Sequence, residues 1–201
     1  MTDHFEHRKH LCLVFELLSF NLYDLIKKSK SLSLNLIRKI SYQLLNSLHF
    51  LSPAGVDIIH SDLKPENILL RDPNRSGVKI IDFGSSCRRS EQIFTYIQSR
   101  FYRAPEILLG LDYDQSIDMW SIGCILMELH SGIPLFPGAD SPDQMRLITQ
   151  FTGIPPLSML LESSNTQKYF ELLPDGSYQV LPQLVRSWFL VGDLLNAFSI
   201  G

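Results

Sequence analysis

Three cysteines in 201 residues are too few and too scattered for a disulfide framework. Cys12, Cys87 and Cys124 form no CxxC pair, which argues against a zinc ribbon or a redox motif and reads as reduced thiols in an intracellular protein. No segment approaches the ~20 uninterrupted apolar residues of a membrane span. The polar start, Met1 to His10, has no secretory signal. Its imidazoles alternate with Arg8 and Lys9, so it reads as a solvated surface strand, not a metal tract. The formal net charge is −3, and no broad basic face points to nucleic acid. Charged residues make up 19% against 45% hydrophobic, a balance that excludes disorder and fits one domain with a substantial core. One further pattern is missing: none of the eleven glycines falls in a G-x-G-x-x-G loop, the usual wrap around nucleotide phosphates.

Apolar spacing lays out the elements that are there. Leu11 to Phe15 is a short run read as a buried strand, followed by a connector from Glu16 to Asn21. Leu36, Ile37, Ile40, Leu44, Leu45, Leu48 and Leu51 recur with helical period, with Ser33 as N-cap and Pro53 and Gly55 marking the end. Two runs, Ile68 to Leu70 and Val78 to Ile81, flank seven turn-forming residues and predict a β-hairpin. Ile117 to Leu129 is apolar nearly all round and predicts a helix buried on every side, stopped by Gly132 and Pro134. Gln144 to Phe151 suits a further amphipathic turn or two, and a loop-rich stretch follows. In the tail, positions 184, 188, 191, 195 and 198 are apolar at helical spacing, so it should pack on protein or self-associate.

Chemistry concentrates in His60-Ser61-Asp62-Leu63-Lys64-Pro65-Glu66-Asn67 and, past the hairpin, Asp82-Phe83-Gly84. A hairpin folds its flanks together, which sets Asp62, Lys64 and Asn67 near Asp82. Phosphoryl transfer to a hydroxyl needs a carboxylate to orient the hydroxyl, a cation against the moving phosphoryl group and hard oxygen ligands for Mg²⁺. Asp62, Lys64, and the pair Asn67 and Asp82 suit these roles in turn. Either short motif alone carries little weight; both, at this spacing and across a hairpin, are specific.

With these motifs the chain resembles the eukaryotic protein kinases, and Ala104-Pro105-Glu106 and Asp118-Met119-Trp120-Ser121-Ile122-Gly123 extend the match. Tyr96-Ile97-Gln98-Ser99-Arg100-Phe101-Tyr102-Arg103 and Asp82-Phe83-Gly84-Ser85-Ser86-Cys87 are similar to the dual-specificity tyrosine-regulated kinases. Gly153-Ile154-Pro155-Pro156 and Leu173-Pro174-Asp175-Gly176 are similar to their minibrain-like branch. The resemblance implies an α+β, protein-kinase-like fold, mostly the helical large lobe with a strand and hinge remnant of the small lobe. It covers residues 1–182 as a partial domain, with 183–201 a divergent tail. It implies Asp62 as catalytic base, Lys64 on phosphate, and Asn67 and Asp82 on Mg²⁺. Phe15, Glu16, Leu18, Asn21, Asp24, Glu66, Leu69 and Ile81 would surround ATP. Tyr96 would be an autophosphorylated activation-loop tyrosine with Arg100 and Arg103 as its cations. Asp118 would hold the catalytic-loop backbone, and Glu106 would pair with an arginine nearer the C-terminus.

The expected activity is ATP-dependent transfer to serine and threonine of protein substrates, in the cytoplasm or nucleus, with no nucleic acid or membrane involved. Ser61 departs from the arginine common at that position. The strand lysine and helix glutamate of the small lobe have no counterpart in these residues, so the alternative is a truncated, non-catalytic fragment acting as a docking or interfering module. A small-molecule phosphotransferase is a third possibility, against which the tyrosine-bearing segment argues.

Overall fold

The computed structural model describes residues 1–52, 55–91 and 96–184. Strands β1 (Asp3–His7) and β2 (His10–Val14) form an antiparallel hairpin, with Arg8 and Lys9 at its left-handed tip. Both its faces are largely open, and Leu11 is 70% exposed. The expected solvated strand at the start is therefore present, but the buried strand at Leu11 to Phe15 is corrected. β2 pairs only with β1, which is polar except for Phe5, and no described element covers its apolar side chains.

The connector through Phe20 has no regular structure, as expected, and leads into α1 (Leu22–Ser29). At eight residues this helix is too short for its apolar period to stand out in the sequence. Asn21 caps it by accepting the Asp24 amide at 2.7 Å, and Leu22 and Ile26 go inside. Helix α2 (Leu34–Leu51) begins where Ser33 predicted, its hydroxyl accepting the Leu36 amide at 3.4 Å. Its buried stripe includes Ile40 and Leu44. Helix α2 ends at a Ser52 cap, Gly55 follows, and Pro53 lies outside the described residues.

Strand β3 (Ile58–Ile59) pairs with β6 (Cys87–Arg88), and β4 (Ile68–Leu70) pairs with β5 (Val78–Ile80) in the predicted hairpin. Gln43 of α2 fastens this hairpin: its amide donates to Ser76 O at 2.8 Å and its carbonyl accepts from Val78 N at 3.0 Å. A short helix α3 (Pro105–Leu109) precedes α4 (Ser116–Ser131). Helices α2 and α4 pack together at the centre of the main core, with Leu44, Ile122, Ile125 and Leu129 almost fully covered. Deleting such a side chain to alanine costs about 2–5 kcal/mol.

Helix α4 is not buried on every side. Met119 is 48% exposed and Gly123 is open, so one stripe faces a groove. Gly132 ends the helix in the left-handed region, at φ +81°. A Cβ there would sit 1.8 Å from Lys30 O, so the α1–α2 connection can lie against this end only because the residue is glycine. The next segment is a full helix, α5 (Ser141–Thr152), longer than the turn or two predicted. The stretch read as loop holds α6 (Leu157–Glu162) and the hairpin of β7 (Phe170–Leu172) with β8 (Tyr178–Val180). The tail pattern falls beyond Leu184, outside the described residues. No described helix is long and apolar enough to cross a membrane.

Candidate active site

The site is built on the loop after β3. Asp118, fully buried in the first turn of α4, accepts the His60 amide on Oδ2 at 2.7 Å and the Ser61 amide on Oδ1 at 3.0 Å. Burial raises its pKa, and the two amides act against that rise. His60 is also fully buried, and its Nε2 lies 3.0 Å from Ile81 O. A carbonyl only accepts, so Nε2 carries the hydrogen and Nδ1 is left to accept the Asp62 amide at 3.3 Å. The ring also meets Phe83 edge-on at 4.8 Å. One imidazole thus ties the Asp62 loop to the segment around Asp82.

The hairpin does the same through backbone. Ile81 N donates to Asn67 O at 2.9 Å, closing the ladder beyond Ile68 and Ile80. The Asp62 loop and the Asp82 segment therefore leave the hairpin side by side, and Asp62 and Gly84 line one cleft of about 380 Å³. Ser61, Asp82 and Gln98 all adopt left-handed backbone, at φ +68°, +65° and +64°. Such angles cost of order 1–3 kcal/mol in non-glycine residues and persist only where surroundings hold them. Part of that hold is mutual, since Gln98 N donates to Ser61 O at 3.0 Å.

Asp62 is saturated with donors. Oδ1 accepts the Ser99 amide at 3.1 Å and its hydroxyl at 2.7 Å. Oδ2 accepts Lys64 Nζ at 2.8 Å and, more weakly, Asn67 Nδ2 at 3.5 Å. Partial burial works against ionisation, but Lys64 and Ser99 outweigh it and hold the pKa below the ordinary aspartate value. Lys64 Nζ reaches the Ser99 hydroxyl as well, at 3.2 Å. The carboxylate is thus ionised and aimed, with a cation beside it. That pairing can orient a hydroxyl and balance charge on a group being transferred to it.

Asn67 is buried and donates from Nδ2 to Asp62 O at 3.0 Å, which directs that amide away and leaves Oδ1 for another partner. Asp82 is exposed, and among the described residues only the Gly84 amide donates to its Oδ1, at 3.4 Å. An amide oxygen and a carboxylate are hard donors that fit Mg²⁺, which fills its remaining positions with phosphate or water. No cluster of three or more His, Cys, Asp or Glu among the described residues offers an alternative metal site.

The residues expected around ATP divide into two groups. The connector runs beside β4, with Ser19 N donating to Leu70 O and Leu70 N to Phe20 O, both at 2.8 Å, and Asn21 bridging Leu69. This brings Leu18, Asn21 and Leu69 to one edge, with Ile81 following on from β5. Asn21 spends its side-chain oxygen on capping α1 at Asp24. Glu16 turns its carboxylate to Lys79 of β5, and Phe15 is 63% exposed. Glu66 stands apart, in a cleft of about 330 Å³ with Tyr23, Tyr102 and Glu128.

Tyr96 is exposed, and the Arg103 guanidinium lies over its ring at 4.0 Å. The adjacent Arg103 guanidinium lowers the phenol's pKa. Arg103 itself is buried, donating to Ile97 O at 2.9 Å and Gln98 O at 2.8 Å, with Nη1 left over. Arg100 donates to the carbonyls of Gly138 and Ala139, and its charge adds to the lowering of the Tyr96 pKa. Glu106 has no cation among the described residues; only the Ser116 hydroxyl reaches it, at 3.4 Å.

Two contributors had no sequence signal that periodicity could expose. Ser99 grips Asp62, as above. Gln98 Nε2 donates to Ile117 O and Ser121 Oγ, both at 2.9 Å, while Oε1 accepts Ala104 N at 2.9 Å. It pins the segment after Tyr96 onto α4.

Comparison with known proteins agrees with this architecture. Residues 1–183 match the model of the protein kinase domain, and the chain belongs to the protein kinase family. It is 55% identical over 173 residues to the serine/threonine-protein kinase dyrk2 of Dictyostelium discoideum, covering 85% of this chain and 19% of that protein. The dual specificity tyrosine-phosphorylation-regulated kinase 3 homolog of Drosophila melanogaster is 53% identical over 172 residues, 85% of this chain and 20% of its own length. The dual specificity protein kinase YAK1 of Saccharomyces cerevisiae is 54% identical over 180 residues, 88% of this chain and 22% of its own length. The chain spans about a fifth of the length of these curated relatives.

Proposed function

We propose that these residues form the catalytic large-lobe part of an ATP-dependent protein serine/threonine kinase that also phosphorylates its own Tyr96. The observation that carries this is the Asp62 carboxylate, ionised and held by Lys64 and Ser99 beside Asn67. Asp62 orients the acceptor hydroxyl and takes its proton. Lys64 stays with the transferred phosphoryl group. Asn67 and Asp82 would hold Mg²⁺, which would supply positive charge to the nucleotide phosphates. The connector with Glu16, Leu18, Asn21 and Asp24, together with Leu69 and Ile81, forms one wall of the nucleotide site, which Phe15 and Glu66 flank. Residues 1–182 are the kinase portion and 183–201 a separate tail. Names of the relatives above support serine/threonine and dual specificity; the substrate proteins and the cytoplasmic or nuclear location are part of the proposal.

The test is Mg²⁺- and ATP-dependent phosphorylation of a serine/threonine peptide by the product of the complete reading frame that contains these residues. Asp62→Asn is expected to lower turnover by about 10³-fold or more while nucleotide binding holds. Turnover that survives this change overturns the assignment of the base.

A further inference from the structure

The turn of the β4–β5 hairpin lies at the opposite end from Asp62 and Asp82. With α1 and α2 it encloses a groove of about 840 Å³, within the range that holds a small ligand or a short peptide. Leu25 of α1 and Leu36 of α2 supply apolar surface, both half-buried and packed on the main core. Lys39, Arg71 and Arg75 also line it, and all three are exposed. None of them enters an ion pair among the described residues. The charge of Arg71 reaches Glu16, but that carboxylate is held by Lys79. The one acid in the lining, Asp72, spends Oδ1 on the Asn74 amide at 2.8 Å. A chain whose net charge is −3 therefore carries a local positive surplus here.

The groove is shaped in advance. Arg71 N donates to Gly77 O at 2.8 Å and Arg75 N to Asp72 O at 3.2 Å, so the turn is closed at its base and again across its middle. Gln43 ties it to α2 through Ser76 and Val78. A ligand entering here meets a loop already ordered, which removes one cost of binding.

The lining also discriminates among anionic partners. No aromatic side chain lines the groove, so nothing in it stacks a nucleic-acid base. It is concave, so a flat lipid surface would meet the cations without reaching Leu25 and Leu36. Cations beside apolar surface fit a segment that carries carboxylates and a leucine-like side chain within a few residues.

We propose that this groove docks an acidic peptide segment of a partner protein, with carboxylates on Lys39, Arg71 and Arg75 and an apolar side chain against Leu25 and Leu36. The contact lies away from the Asp62 cleft, and binding here does not depend on phosphotransfer chemistry.

Fluorescence anisotropy of the purified full chain with a fluorescein-labelled peptide, Glu-Glu-Leu-Asp-Glu-Leu-Glu, tests it. At about 0.15 M salt the Debye length of about 8 Å confines the effect of each charge to its neighbourhood. Saturable binding is expected, and Lys39→Glu and Arg75→Glu should each weaken it about five- to tenfold. Arg38→Glu, exposed on α2 but outside the groove, should leave it within about twofold. All three positions are exposed, so these variants should fold, and an unchanged circular dichroism spectrum checks that they do. No saturable binding by the unaltered chain overturns the proposal. So does an equal loss in all three variants, which would mean attraction to charge in general. A peptide with both leucines replaced by serine is expected to bind several-fold more weakly, and equal binding overturns the proposal. A single-stranded oligonucleotide of matched charge that binds more tightly than the peptide, with the same loss in Arg75→Glu, assigns the groove to nucleic acid and also overturns it.

Discussion

Ser99 brings two donors to a single oxygen of Asp62, its amide at 3.1 Å and its hydroxyl at 2.7 Å. The two residues are 37 positions apart, so this contact joins the His60–Asn67 motif to the segment after Tyr96. It also makes the ionisation of Asp62 depend on that segment's position.

Ser99→Ala is expected to raise the pKa of Asp62, because the hydroxyl bond is lost while the amide and Lys64 remain. The sign for stability follows. A carboxylate whose pKa is depressed by folding stabilises the protein above its unfolded value and loses that contribution as pH falls through the folded value. The variant should therefore lose less stability than the wild type on acidification below about pH 4. Carbon-detected NMR titration of the Asp62 carboxyl checks the shift, and an unchanged titration refutes the role given to the hydroxyl.

Asp118→Ala leaves the His60 and Ser61 amides in a site with no exposed surface. Stranding two buried donors is expected to cost roughly 3–5 kcal/mol of unfolding free energy. Asp118→Asn retains one acceptor oxygen and should cost less. Urea denaturation of both variants measures the ranking, and hydrogen exchange at residues 60–62 should rise in the same order.

Glu128 is buried on α4 with Tyr102 donating its hydroxyl to Oε2 at 2.8 Å. Desolvation lifts its pKa from 4.5 to about 7; the tyrosine bond works against this, and the charge of Glu66 adds to it. Between those two values the folded chain holds the extra proton, so this group's contribution to stability falls as pH rises from about 4.5 to about 7 and is level above that. The swing is at most about 3 kcal/mol. Glu128→Gln keeps the shape and an acceptor for Tyr102 but cannot titrate. Its stability curve should be flatter than the wild type's across that interval; parallel curves would exclude Glu128 as the source.

Much of this site was visible in the chain because its motifs are local. Asp62, Lys64 and Asn67 lie within six residues, and the turn formers from Arg71 to Gly77 foretold the hairpin that brings Asp82 alongside. The α2 period and its Ser33 cap were equally plain, since both signals come from residues three or four apart. Glycine after α4 was legible as a stop, though its close approach to Lys30 was not.

Long-range contacts decided what such patterns do not encode. Leu11 to Phe15 has the composition of a core strand, yet it is open, because burial requires an element packed on a face of the hairpin and β1 pairs with β2 only edge to edge. Ile117 to Leu129 reads as apolar all round, yet the positions of Phe136 and Phe151 turn one of its stripes into a groove. Arg100 and Arg103 look alike beside Tyr96 in sequence, but Arg103 lies over the ring while Arg100 donates to the carbonyls of Gly138 and Ala139. Local residue order thus marked α2, the β4–β5 hairpin and the motifs of the candidate site, since spacing and turn chemistry act over a few residues. Which surfaces are covered, and which donors meet Asp62, was settled only when segments tens of residues apart came into contact.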